Sequence, residues 1–130
     1  MSEESVRLTF PANASYLVLA RAAVAAVCAR LDFPLDRLDD VKLAIDEACA
    51  MLLSDAKPDS QLRVSLLPHP EGDVAITITA ITRHGRTPRK HSFSWTVLSA
   101  LVDSVEAAAS ESAQVTIAMT ASRGPVKSDS

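Results

Sequence analysis

The stretch ARAAVAAVCARLDFPLDRLDDVKLAIDEA, from Ala20 to Ala48, decides the fold. In its first half Ala20, Val24, Val27 and Leu31, with Leu17 just before, recur at three- and four-residue steps and form one helical stripe. In its second half Leu38, Val41, Ile45 and Ala48 do the same, and Leu52 extends the stripe. Between them LDFP breaks the period, and Pro34 cannot sit inside a helix because it lacks the N–H and its ring clashes with the preceding turn. The stretch therefore predicts two consecutive helices. The first is capped by Ser15, and the second begins at Asp36 and ends before Pro58.

On the N-terminal side, residues 5–12 (SVRLTFPA) alternate apolar Val6, Leu8 and Phe10 with polar neighbours, the pattern of a half-buried strand that Pro11 ends. On the C-terminal side, QLRVSLL at 61–67 and VAITITAI at 74–81 both alternate, and the intervening PHPEGD holds turn residues. Together they predict an antiparallel hairpin. Val97, Leu98, Leu101, Val102 and Val105 predict a third helix from about Trp95 to Ala109, followed by a last strand at Gln114–Thr120. The order βααββαβ implies an α/β (α+β) two-layer sandwich, with a mixed or antiparallel sheet covered by helices on one face. Residues 5–121 form one domain, and residues 122–130, small, polar and charged, are expected to be a flexible tail.

Composition removes several classes of function. A chain of 130 residues with 48% apolar and 22% charged side chains suits a single globular core. A net charge of −3 lacks the basic excess of a nucleic-acid binder, so no direct nucleic-acid contact is expected. No apolar run approaches the ~18 residues of a membrane span. Met1 leads into Ser-Glu-Glu rather than a basic and apolar leader, so a cytoplasmic location is expected. Cys28 and Cys49 fall in predicted helices and are expected to be buried free thiols. His69, His84 and His91 supply no ligand spacing with them, so no metal site is expected.

The quoted stretch resembles the first two helices of bacterial anti-sigma-factor serine kinases of the RsbW and SpoIIAB type, especially actinobacterial members. These belong to the GHKL, or histidine-kinase-like ATPase, superfamily. The resemblance runs over roughly residues 5–121, with no good match between about 82 and 91. It implies the Bergerat fold, ATP and Mg²⁺ as family cofactors, a sigma factor and a STAS-domain anti-anti-sigma protein as partners, and a homodimer joined at a sheet edge. Helix-face pairing in the family sets a Glu four residues before an Asn. Here that pair is Glu47, implied as the catalytic base, and Met51, a soft thioether where Mg²⁺ needs oxygen. Glu47 is otherwise a solvated helix-face carboxylate.

The family's adenine-recognising Asp corresponds to Ala80, and no acidic residue occurs between Asp73 and Asp103. The glycines that receive phosphate at a helix N-terminus correspond to Ser92-Phe93-Ser94-Trp95, leaving Ser92 and Ser94 as candidate cofactor-binding residues or as plain helix caps. Thr82–His91 is too short for the family's ATP lid, and its Arg83, Arg86, Arg89 and Lys90 read as a solvated basic loop or a contact for an acidic partner. In the ARxxVAA motif Arg21 matches the family's partner-contacting arginine; the alternative is an uninvolved surface arginine. The resemblance thus implies an anti-sigma factor with an eroded ATP site, with no cofactor needed. The alternative is an active ATP-dependent serine kinase of an anti-anti-sigma factor.

Overall fold

The computed structural model describes residues 4–124. Strand β1 (Val6–Pro11) leads through a single 3-10 turn, Ala14–Tyr16, into helix α1 (Leu17–Arg30). There follow α2 (Leu35–Leu53), β2 (Gln61–Pro68), β3 (Val74–Ile81), α3 (Phe93–Leu101), β4 (Ser104–Ala109) and β5 (Gln114–Ala121). The five strands lie in the order β1-β2-β3-β5-β4, and every neighbouring pair is antiparallel.

The period-two pattern sorts the sheet into two faces. Phe10, Leu62, Val64, Leu66, Ile76, Ile78, Ile117 and Met119 turn inward and are buried with the stripes of the helices. Each fully buried side chain of this size contributes roughly 1.5–3 kcal/mol by leaving water. The other face carries no helix and consists mainly of small and hydroxylated residues, with the Thr79 and Thr116 hydroxyls 2.9 Å apart on neighbouring strands. The two-layer sandwich with helices on one face is therefore as the sequence leads one to expect.

Three local expectations are corrected. Asn13, not Ser15, opens the first helical segment: its Oδ1 accepts hydrogen bonds from the Ser15 backbone N–H and hydroxyl, both at 2.9 Å. Helix α2 starts at Leu35, one residue before the anticipated Asp36. The third helix ends at Leu101 rather than near Ala109, because Val102 is extended (φ −130°, ψ 168°) and Ser104–Ala109 form β4 against β5. The observed order is thus βααββαββ, with a wholly antiparallel sheet.

Helix α1 ends where the sequence stops its period, through a left-handed residue. Asp32 has φ 63°, the Phe33 N–H returns to the Cys28 carbonyl at 3.0 Å, and buried Phe33 packs into the core beneath that turn. Of the expected tail, Ser122 is held by Asp103 through its backbone N–H (3.3 Å) and its hydroxyl (2.8 Å), and Arg123 donates to the Glu71 carbonyl (3.1 Å). Residues 125–130 of the tail lie outside the described residues. No helix among the described residues is long and apolar enough to cross a membrane.

Candidate functional site

Helix α2 presents Asp46, Glu47 and Met51 along one side, all half-buried. Met51 packs against the core cluster, so it is held as an apolar side chain. Glu47 enters none of the ion pairs found among the described residues. Its neighbour Asp46 accepts a hydrogen bond from Arg21 Nε of α1 at 3.0 Å, so the arginine singled out as a partner contact is already paired within the chain.

Ala80 is buried on the inward face of β3, between Leu62 of β2 and Val115 of β5. Thr82, just beyond, is also buried. Its hydroxyl donates to the Ala113 carbonyl at 2.9 Å and accepts from the Gly85 N–H at 2.8 Å, which satisfies it completely and fixes the start of the connector. Ser92 caps α3: its Oγ accepts from the Trp95 N–H at 3.2 Å, and its carbonyl accepts from the Thr96 N–H at 3.1 Å and from the Thr96 hydroxyl. Ser94 follows in the first turn, half-buried, and Trp95 is in the core. Glu47 and Met51 thus share a helix face as the spacing requires, whereas Ser92 and Ser94 belong to a separate element.

A core-packed thioether offers Mg²⁺ no hard oxygen, and Ala80 has no group to accept from an exocyclic amine. No group of three or more metal-ligating side chains occurs among the described residues. Cys28 and Cys49 are free and buried, and burial pushes their thiols up to about 11 and about 12, as expected of packing cysteines rather than metal or catalytic thiolates.

The connector between β3 and α3 is tied to the end of α2. Asp55 accepts from the His84 backbone N–H at 3.2 Å, its carboxylate lies 2.6 Å from His84 Nδ1, and its carbonyl accepts from the Arg83 N–H at 2.8 Å. Partial burial works against the Asp55 charge, but the His84 hydrogen bonds and the charges of His84 and Arg83 outweigh it and hold the carboxyl below its ordinary range. Arg83, Arg86, Arg89 and Lys90 are exposed.

The outward side of α1 is also apolar: Val18 is 54% and Leu19 45% exposed, beside exposed Ala22, Ala26 and Ala29. A helix apolar on all sides is ordinarily covered on all sides, yet only one side of α1 meets the domain. The signal lay in LVLARAAVAAVCAR, whose only charges over 14 residues are Arg21 and Arg30. Arg21 therefore stands half-buried at the border of an uncovered apolar helix face.

No family model matches the chain. The chain is 35% identical over 102 residues to the anti-sigma-F factor RsbW of Mycobacterium tuberculosis, an alignment spanning 78% of this chain and 60% of that protein. It is 36% identical over 53 residues, 41% of this chain and 33% of the relative, to the serine-protein kinase RsbW of Bacillus thuringiensis. Its fold matches a crystal structure of the RsbU and RsbW domains of Rv1364c from Mycobacterium tuberculosis, with a TM-score of 0.73 at 15% identity, over 92% of this chain and 32% of that one. The architecture is thus that of an RsbW-like α/β sandwich. In sequence the chain is similar to proteins named anti-sigma-F factor RsbW and serine-protein kinase RsbW, and it spans about 60% of the length of the mycobacterial relatives.

Proposed function

We propose that this chain is a cytoplasmic anti-sigma domain. It binds an RNA polymerase sigma factor through the outward face of α1 around Arg21 and releases it when a STAS-domain anti-anti-sigma protein competes for that face. The observation that carries this reading is the uncovered apolar side of α1, with Val18 and Leu19 exposed beside a half-buried arginine. Arginine is enriched among energetic hot spots, and apolar neighbours around it exclude water from the contact. The similarity to a protein named anti-sigma-F factor supports the same assignment. Two copies join at a sheet edge, for which β1 and β4 are the outer strands. Regulation runs by partner exchange, a reading supported by the chemistry of Met51 and Ala80.

Co-purification with the cell's sigma factors tests the assignment. Wild-type protein captures a sigma factor, and Arg21→Glu and Leu19→Asp each reduce the capture; capture unchanged by both substitutions rejects this surface. A second reading, an ATP-dependent serine kinase of an anti-anti-sigma factor, is favoured by Glu47, a half-buried carboxylate outside the ion pairs of the described residues. Titration with ATP and Mg²⁺, followed by Trp95 fluorescence, separates the two. Saturable micromolar binding rejects the eroded-site reading.

A further inference from the structure

The sheet face opposite the helices holds a shallow trough with two lobes. The first, about 300 Å³, is lined by Arg7, Thr9, Arg63, Ser65, Thr77 and Thr79 among others. The second, about 450 Å³, shares Arg63 and Thr79 with it and continues to Asp59, Gln61, Ile81 and Gln114. Each lobe lies within the size range of small-molecule clefts, and the two meet at one arginine.

The register places the charges. Arg7 pairs with Ser65 and Arg63 with Thr9, so the two arginines are diagonal neighbours on adjacent strands, on the same face, with their Cα atoms roughly 7–8 Å apart. Neither enters an ion pair among the described residues, and the first lobe has no carboxylate in its lining. Two like charges side by side repel, and an anion held between them turns that repulsion into attraction. Two guanidinium groups approaching from different strands suit the three free oxygens of a phosphate monoester better than the two of a carboxylate. Beyond the arginines the lining includes groups that both donate and accept, the hydroxyls of Thr77 and Thr79 and then the amides of Gln61 and Gln114, with the Asp59 carboxylate and apolar Ile81 at the far lobe.

We infer that this trough is a binding site for a phosphorylated sugar or polyol, with the phosphate between Arg7 and Arg63 and the hydroxylated body lying along β3 toward Gln61 and Gln114. The site is independent of the anti-sigma reading. Its polar side chains lie on the sheet face opposite α1 and α2, and neither Glu47 nor Ser92 is among its lining residues.

The test is amide chemical-shift titration of the whole chain with ribose 5-phosphate and glycerol 3-phosphate, with ribose, glycerol and sulfate as controls. The expected result is saturable shifts centred on Thr9, Ser65, Thr77 and Thr79, with an affinity at least about tenfold weaker in Arg63→Gln and in Arg7→Gln, the loss of one charge-assisted contact. Both arginines are exposed, so these variants keep the fold, which their unperturbed spectra verify. Four results overturn the inference: no saturation with either phosphate, shifts centred on Ser92–Trp95, affinities unchanged in both variants, or sulfate matching the esters, which denotes an adventitious ion only. Concentration-dependent shifts at the same amides without phosphate assign the trough to a second copy of the chain and overturn it as well.

Discussion

The Arg21 guanidinium on α1 donates to the Asp46 carboxylate on α2 at 3.0 Å, so the arginine at the border of the uncovered apolar face is held by its own chain. Both side chains are more than a third exposed, a setting in which such a pair is worth at most about 1 kcal/mol. On the proposed reading a partner carboxylate would displace Asp46 at little cost. Asp46→Asn is expected to leave urea-unfolding stability within about 1 kcal/mol of wild type. It is also expected to strengthen sigma-factor capture, because Arg21 no longer has to leave a charged neighbour. Weakened capture in Asp46→Asn would instead mean that Asp46 positions Arg21.

The two cysteines predict a pH dependence. Burial raises both thiols, to about 11 for Cys28 against the pull of Arg37, and to about 12 for Cys49 with the help of nearby Asp46. A raised folded value means that the native state holds its protons more tightly than the unfolded chain. Stability from this source is complete below the unfolded thiol range near pH 9 and falls as pH rises from there toward 11–12. At neutral pH both thiols are expected to be inert to a disulfide reagent in native protein and to react together once urea unfolds it. Fast labelling of either thiol under native conditions would contradict the packing described.

Asp55 carries the opposite sign. Its partial burial favours the neutral acid, but the His84 hydrogen bonds and the charges of His84 and Arg83 prevail and lower its value. The resulting stability is present above the ordinary carboxylate range near pH 4 and is lost as pH falls through the depressed value. In His84→Ala the Asp55 carboxyl should titrate closer to its ordinary value, as followed by carboxyl carbon shifts. The Arg83–Gly85 amides should exchange faster with solvent. An unmoved Asp55 titration would show that His84 does not hold the connector.

How much of this was legible depended on whether local pattern and tertiary packing agreed. The β2–β3 hairpin and the stripes of α1 and α2 were readable because each period matches the surface it buries. Strand β4 was hidden: Ala107, Ala108 and Ala109 favour helix, and Val105 continues the spacing of Leu98 and Leu101. Pairing with β5 overrides that preference, and only the extended backbone at Val102 marks the break. Of the candidate site, the shared face of Glu47 and Met51 follows from spacing four, and the apolar place of Met51 from its chemistry. The pairing of Arg21 with Asp46 joins residues 25 apart on different helices, and nothing local encodes it. The arginine pair on β1 and β2 was equally hidden, since it depends on strand register.

Arg37 ties several elements together through its polar contacts. Its side chain is only 17% exposed, and it donates to the Leu101 carbonyl at the end of α3 (3.2 Å) and to the Ser122 carbonyl after β5 (3.2 Å). It also pairs with Asp103 at 2.9 Å and with Asp40 at 3.3 Å. One guanidinium thus joins the start of α2, the α3–β4 junction and the end of the last strand. Substitution by Ala leaves two carbonyls and the Asp103 carboxylate without this donor, at a cost of about 1–3 kcal/mol for each buried group left unsatisfied. Water reaches the exposed Asp103, so a net loss of about 2–4 kcal/mol is expected in urea unfolding, with little recovered by Lys because a single ammonium cannot span the fork. Hydrogen exchange should localise the damage to β4 and the end of β5 and leave the β2–β3 hairpin protected. A loss below about 1 kcal/mol, or uniform loss of protection, would show that these contacts do not act as a clamp.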